Sequence, residues 1–266
     1  MRRGIAGAAA MLALVGAATC AAATSEVLRL DPRAAIEQSE QAIGRTLGSH
    51  TLVDAAGAPL RLRDFRGKPL VISTVYTACS SVCPATTQHL LDAVAEAGRM
   101  IGLDQFNVLT VGFDARHDTP ARLTAFAARQ GIGAANWRLA SADGATIAAL
   151  LRDLGFSYAA VAGGFDHVTQ TTIVDRDGKV YRQVYGDDFP LPVFIEPLKD
   201  VVYGRSTVTS LRGLIDRVKL ICTVYDPAAR RYQIDYGLAF GSVLGGLSLV
   251  VMAGLIAREW RRARHV

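Results

Sequence analysis

Apolar residues fall in runs whose period changes along the chain. Leu70-Val-Ile-Ser-Thr-Val-Tyr76 and Phe106-Asn-Val-Leu-Thr-Val-Gly-Phe113 are nearly unbroken, the pattern of strands buried on both faces. Helices are predicted from about Pro84 to Arg99, from Thr119-Pro120 to about Gln130, and over residues 143–154, with Pro120 in its favoured first turn. Thr51-Leu-Val-Asp54 and Pro59-Leu-Arg-Leu62 flank Ala56-Gly57 and read as a β-hairpin. Thr171–Val174 and Val180–Tyr185, joined by the turn Asp175-Arg-Asp-Gly178, read as another. A short amphipathic helix is predicted from Pro32 to Ile43, opened by Asp31 as N-cap, and a further helix over about Val208–Ile221, with a break at Tyr225-Asp-Pro. Strand, helix, strand, helix and a late hairpin describe an α/β sandwich with a mixed central sheet, the thioredoxin pattern.

The two ends are patterned differently. Arg2 and Arg3 precede an apolar stretch from Ile5 to Ala18 and the small residues Ala21, Ala22 and Ala23, which predicts a cleaved export signal. Cys20 offers a lipoprotein alternative, but Ala17 and Thr19 before it fit that pattern poorly. From Tyr236 to Ala257 there is no charge, and about 20 apolar residues suffice to span a bilayer. Arg258, Arg261, Arg262 and Arg264 follow, which by the positive-inside rule places this end in the cytoplasm and the preceding domain outside. Tyr232 and Tyr236 stand where an interfacial aromatic belt lies, and Gly237, Gly241 and Gly245 recur every four residues, a spacing suited to close helix packing.

Much of the formal net charge of +5 comes from these ends, so it speaks for membrane topology rather than nucleic acid. No zinc-finger spacing or RNA-binding signature is present, and nucleic acid is excluded as a partner. With 50% hydrophobic residues over 266 positions, the chain can bury a core without disulfide staples. The expected organisation is a signal (1–23), a lead-in (24–44), a thioredoxin-like domain (45–203), a juxtamembrane helix and connector (204–235), a transmembrane helix (236–257) and a basic cytoplasmic tail (258–266).

Candidate chemistry sits between the first buried strand and its helix, in Tyr76-Thr-Ala-Cys79-Ser-Ser-Val-Cys83-Pro84. Cysteines in a loop at a helix N-terminus meet partial positive charge, which lowers a thiol pKa and favours thiolate. Two thiolates select Cu(I) or zinc over hard cations. A closed zinc site wants four ligands, and no fourth is evident. The third candidate ligand is His167, just before the first strand of the late hairpin. Met1, Met11, Met100 and Met252 do not cluster, so a thioether copper site is excluded. A Cys-x-x-x-Cys pair alone equally describes a structural disulfide in an exported protein, and a lone His equally a core or surface residue.

Taken together, these segments resemble the Sco/SenC family of cytochrome oxidase assembly proteins. Gly67-Lys-Pro-Leu-Val-Ile, Thr77-Ala-Cys79-Ser-Ser-Val-Cys83-Pro84, Gly112-Phe-Asp114-Ala-Arg-His-Asp118-Thr-Pro120 and Asp166-His167 stand in family order over residues 43–186. The tail, Cys222-Thr-Val-Tyr225-Asp-Pro before one apolar segment, resembles a bacterial subset. The resemblance implies copper held by Cys79, Cys83 and His167, and delivery to the dinuclear copper site of oxidase subunit II. Other copper carriers or thioredoxin-like reductants are further partners it suggests, and the inner membrane is the implied location. Ser81 stands where many members have Asp, Phe113 where they have Val, and the loop at Gly163-Gly164 also differs.

Rival readings are a thiol–disulfide reductase using Cys79 and Cys83 alone, a peroxide-reducing relative of peroxiredoxins, and a tethered module with a structural disulfide. Asp114 is read as capping a turn or supporting the site, His117 as surface loop, and His89 as solvated. His50 and His265 have no visible partner. Cys222 is an odd cysteine, read first as buried in a structural role beside the apolar segment, with pairing across a dimer or contact with a partner as alternatives.

Overall fold

Both unbroken apolar runs become central strands, because a residue pair on opposite faces can be buried only where both faces are covered. In a computed structural model, residues 29–80, 82–204, 223–226 and 231–234 are described, with helical residues 241, 244–245, 247–248 and 252–256. Strands β1 (Thr51–Asp54), β2 (Pro59–Arg61), β3 (Leu70–Val75), β4 (Asn107–Gly112), β5 (Trp137–Ser141), β8 (Gln170–Val174) and β9 (Val180–Tyr185) form one sheet ordered β2-β1-β5-β4-β3-β8-β9. β3, β4 and β5 are parallel, and β8 and β1 join antiparallel at either side. Val71 and Val75 of β3 face one core, with α2 (Val82–Ile101), α3 (Pro120–Gln130) and α5 (Leu191–Tyr203). Leu70 and Ile72 face the other, with α4 (Gly144–Leu154). This is the mixed, thioredoxin-like α/β sandwich expected.

Local chemistry sets most boundaries. Asp31 accepts from the Arg33 N–H and opens α1 (Pro32–Glu40), which ends three residues before the predicted Ile43. Thr119 and Asp143 cap α3 and α4 in the same way.

Several elements carry no sequence expectation. β5 completes the parallel set. A separate two-stranded hairpin, β6 (Tyr158–Val161) and β7 (Gly164–His167), ends on the candidate ligand. α5 escapes notice because Pro192 and Pro197 punctuate it, yet Phe194, Ile195 and Leu198 bury its face completely. Tyr225, read as part of a break, lies in β10 (Thr223–Asp226), which pairs with β11 (Arg231–Ile234).

The signal (1–23) with Cys20, the helix over 208–221, Cys222, the tail (258–266) with His265, and Gly237 lie outside the described residues. Within 236–257 the described residues are helical, with Leu244, Leu247, Met252, Leu255 and Ile256 exposed. Among the described residues no helix is long and apolar enough to cross a membrane.

Candidate metal centre

β3 delivers the chain into a tight turn in which the Cys79 N–H donates to the Tyr76 carbonyl at 3.0 Å. The Cys83 N–H then donates to the Cys79 sulfur at 3.3 Å. That sulfur occupies the place of an N-cap oxygen, so α2 starts at Val82, two residues before the predicted Pro84. Cys83 is therefore inside the first helical turn, not in the loop. The structure holds the pair as thiols.

Expectation and structure part over Cys83. Its side chain is 3% exposed, and burial pushes the thiol up to about 12. A backbone hydrogen bond from Tyr76 opposes the shift, whereas Cys79 adds to it. The helix N-terminus does not produce a low thiol pKa here, because loss of water outweighs the dipole at a buried sulfur. Cys79 is half-buried and is the less enclosed of the two cysteines.

Beneath the loop lies a carboxylate that the sequence showed only as part of a motif. Asp118, 2% exposed, accepts from the Thr77 N–H at 2.8 Å, the Thr77 hydroxyl at 2.7 Å and the Asp114 N–H at 2.9 Å. Burial raises its carboxyl above the ordinary range, against the pull of those three bonds. A Cβ on Gly112 would stand 2.6 Å from the Asp118 Cβ, so only glycine ends β4 this close.

His167 closes β7. Its Nδ1 donates to the Val168 carbonyl at 3.2 Å, which fixes the tautomer and leaves Nε2 with an open lone pair. Burial lowers its pKa, so the ring is neutral, the form that binds metals. Ring centroids of Phe113 and Phe156 lie 5.5 Å away and that of Tyr76 at 6.2 Å. His167 and Cys83 line one narrow cleft with Thr74, Thr86, Thr87 and Gln170. Among the described residues, however, no three His, Cys, Asp or Glu side chains converge into a metal-holding cluster. The thiols are brought together, and His167 shares a cleft with Cys83 without joining the pair.

Among the described residues, the hairpin bearing His167 forms a sheet of its own. Its ties include the Leu30 N–H, which donates to Asp166 Oδ2 at 3.2 Å, and the rings of Tyr76 and Phe113, which pack against Phe165. Burial foremost pushes the pKa of the Tyr76 phenol up to about 12, and the neighbouring Cys79 adds to the shift.

Other histidines have structural partners. His89, expected in solvent, is 11% exposed at its side chain and donates from Nε2 to the Phe189 carbonyl at 2.7 Å. The face of α2 beyond Cys83 is covered by the segment entering α5, which the sequence did not reveal. His50 bonds Asp153 at 2.7 Å, so it has the partner the sequence did not show. His117 is on the surface as expected, 2.7 Å from Asp114, which also caps its own turn through the Arg116 N–H.

A family model described as SCO1/SenC matches residues 38–202. The chain belongs to the SCO1/SenC family. The matched stretch takes in Cys79, Cys83, Asp118 and His167 of this SCO1/SenC protein. No curated protein matches it in sequence. Among solved structures, a protein of Aquifex aeolicus VF5 put forward for electron transfer is 26% identical, with a TM-score of 0.55, over 59% of this chain and 92% of that one. BsSco, a member of the Sco family of cytochrome c oxidase assembly proteins with a disulfide switch, is 20% identical at a TM-score of 0.54, over 60% and 94%. Arabidopsis thaliana ScoI, solved with copper bound, is 14% identical at 0.52, over 59% and 98%. The two more distant likenesses show the fold.

Proposed function

We propose that this protein carries copper on Cys79, Cys83 and His167 and delivers it to the dinuclear copper site of cytochrome c oxidase subunit II. The observation that carries the reading is the cleft lined by both Cys83 and His167, with Cys79 beside it. The donors are a pair of thiols joined through a helix-start N–H and a neutral imidazole with Nε2 open. Two soft sulfurs and one imidazole suit copper and leave a closed zinc site short of a ligand. Membership of the SCO1/SenC family supports it, as do a copper-bound Sco protein and an oxidase-assembly Sco protein of the same fold.

Each residue has a defined task. Cys79 is the more accessible cysteine, and at its sulfur a backbone N–H and the helix dipole favour negative charge. Cys83 gives up its proton on loading, so uptake of copper releases a proton. His167 completes the set by closure of the β6–β7 hairpin, which can shift without breaking a hydrogen bond of the main sheet. Copper is the cargo and leaves by exchange to ligands on the acceptor.

Placement follows from the ends. The signal (1–23) exports the domain, the apolar segment (236–257) anchors it in the inner membrane, and the arginine tail stays in the cytoplasm. Copper carriers that load the site and reductants that keep its thiols reduced meet the domain on the outer side.

A second reading is favoured by the unequal exposure of the two sulfurs. Cys79 would attack a target disulfide, releasing one target thiolate; Cys83, losing its proton, would then resolve the mixed disulfide and release the second, leaving the Cys79–Cys83 disulfide. His167→Ala separates the two. In optical titration of the full chain with Cu(II), the carrier reading expects the thiolate-to-copper band to weaken or vanish in the variant. Insulin-disulfide reduction that survives the variant, with an unchanged copper spectrum, favours the reductase.

A further inference from the structure

We propose that the end of the sheet opposite the thiols is a membrane-facing surface that takes anionic phospholipid headgroups, and thereby holds the copper site away from the bilayer. This role rests on the membrane-anchored reading of the chain.

Three segments meet at that end. β3 begins there, and the segment before it carries Arg63, Arg66 and Lys68, all exposed, which line one surface cavity together with the apolar Leu62, Phe65 and Leu70. The turn between β8 and β9 closes on it. The Gly67 N–H donates to the Arg176 carbonyl at 2.9 Å, and Arg66 Nε stands 3.3 Å from where a Cβ on Gly178 would lie. Arg176 and Lys179 of this turn are exposed as well. The third segment is the end of α5, whose Val202 carbonyl accepts from the Arg176 guanidinium. From here, past Gly204, the chain continues towards the apolar segment 236–257.

Charge separates along the domain. Arg63, Arg66, Lys68, Arg176 and Lys179 are set against Asp64, Asp175 and Asp177. Asp175 is occupied by its own turn, accepting the Asp177 and Lys179 N–H groups at 2.9 and 2.8 Å. Just outside this cluster, Arg45 and Arg152 balance Asp153 and Asp200. At the thiol end the balance reverses: Asp31, Asp114, Asp143, Asp166, Asp187 and Asp188 stand against Arg29, Arg33, Arg116 and Arg122. An anionic bilayer surface attracts the first end and repels the second. Arg and Lys beside an apolar cavity suit a phospholipid headgroup, whose phosphate meets the cations. The anchor keeps this end near the surface, so a tie too weak to bind from solution acts at high local concentration. β3 runs from this end to the thiol turn in 6 residues, about 20 Å at roughly 3.3 Å per residue, so copper is presented at about that height.

The test uses the full chain in lipid nanodiscs, one set of phosphatidylcholine alone and one with phosphatidylglycerol added. Amide exchange in peptides covering 62–69 and 175–180 is expected to slow at least about fivefold in the phosphatidylglycerol discs at low salt, the effect of roughly one basic residue at an anionic surface. High salt removes the difference, and exchange in the turn from Tyr76 to Cys79 is the same in both discs. Arg63→Glu combined with Lys68→Glu abolishes the slowing and leaves copper uptake as in the wild type. Equal exchange of the wild type in the two discs overturns the proposal without need of a variant. So does slowing that inorganic phosphate reproduces in phosphatidylcholine discs, which assigns the surface to a soluble anion instead. The anchor is judged separately. A chain that alkaline carbonate washes out of vesicles has no spanning segment and sinks that reading, while slowing that still depends on phosphatidylglycerol leaves the basic surface standing.

Discussion

Asp118 holds Thr77 twice, accepting its backbone N–H at 2.8 Å and its hydroxyl at 2.7 Å, and so anchors the thiol loop from the end of the neighbouring strand. The same carboxylate takes the Asp114 N–H. Asp118→Asn replaces one oxygen with an NH2 that faces donors, leaving at least one buried N–H or O–H unpaired. A loss of about 1–3 kcal/mol in urea unfolding is expected. Unchanged stability would mean that the loop does not depend on this carboxylate.

Unequal burial of the thiols predicts ordered chemistry. Iodoacetamide at pH 8, followed peptide by peptide in the metal-free chain, should modify Cys79 at least about tenfold faster than Cys83, which burial keeps protonated. Equal rates would show that Cys83 is neither buried nor raised in solution.

The Cys83 proton also links stability to pH. Its pKa rises from 9.0 to about 12 on folding, so the folded protein keeps a proton that the unfolded chain loses. The contribution is whole below pH 9 and is lost as pH climbs from 9 towards 12. Urea unfolding of the metal-free chain should weaken over that interval, with a smaller slope in Cys83→Ala. Part of the slope stays, since the Tyr76 phenol is raised in the same direction. A slope unchanged by Cys83→Ala would contradict the assignment.

Phe113 touches the rings of Tyr76, Phe156, Tyr158, Phe165 and His167 and is 2% exposed. Phe113→Val installs the residue common in the family but opens a space beneath the hairpin. It is expected to cost about 2 kcal/mol, less than a full truncation to Ala. Thermal unfolding reads this directly. A neutral substitution would mean that the hairpin settles onto the smaller side chain.

Much of this fold was legible in the sequence, for physical reasons visible in particular residues. β3 and β4 announced themselves because both their faces are buried, α1 because Asp31 caps it, and α3 because Pro120 sits in its first turn. α5 stayed hidden because its two prolines read as breaks. The Cys and His positions were legible by type and family order. Their environments were not, since burial of Cys83 and the covering of His89 depend on α5 and the segment before it, distant in sequence. Asp118 and Tyr76 were missed for a similar reason: their partners, Thr77 and Asp114 for the one and Phe165 for the other, meet only after the strands align.

The central claim is a ligand set, and X-ray absorption of the full chain loaded with Cu(I) reads ligands directly. Two sulfurs and one nitrogen around copper are expected in the wild type, with the nitrogen lost in His167→Ala and one sulfur lost in Cys79→Ser or Cys83→Ser. A spectrum identical in wild type and His167→Ala, or one without sulfur, would contradict it.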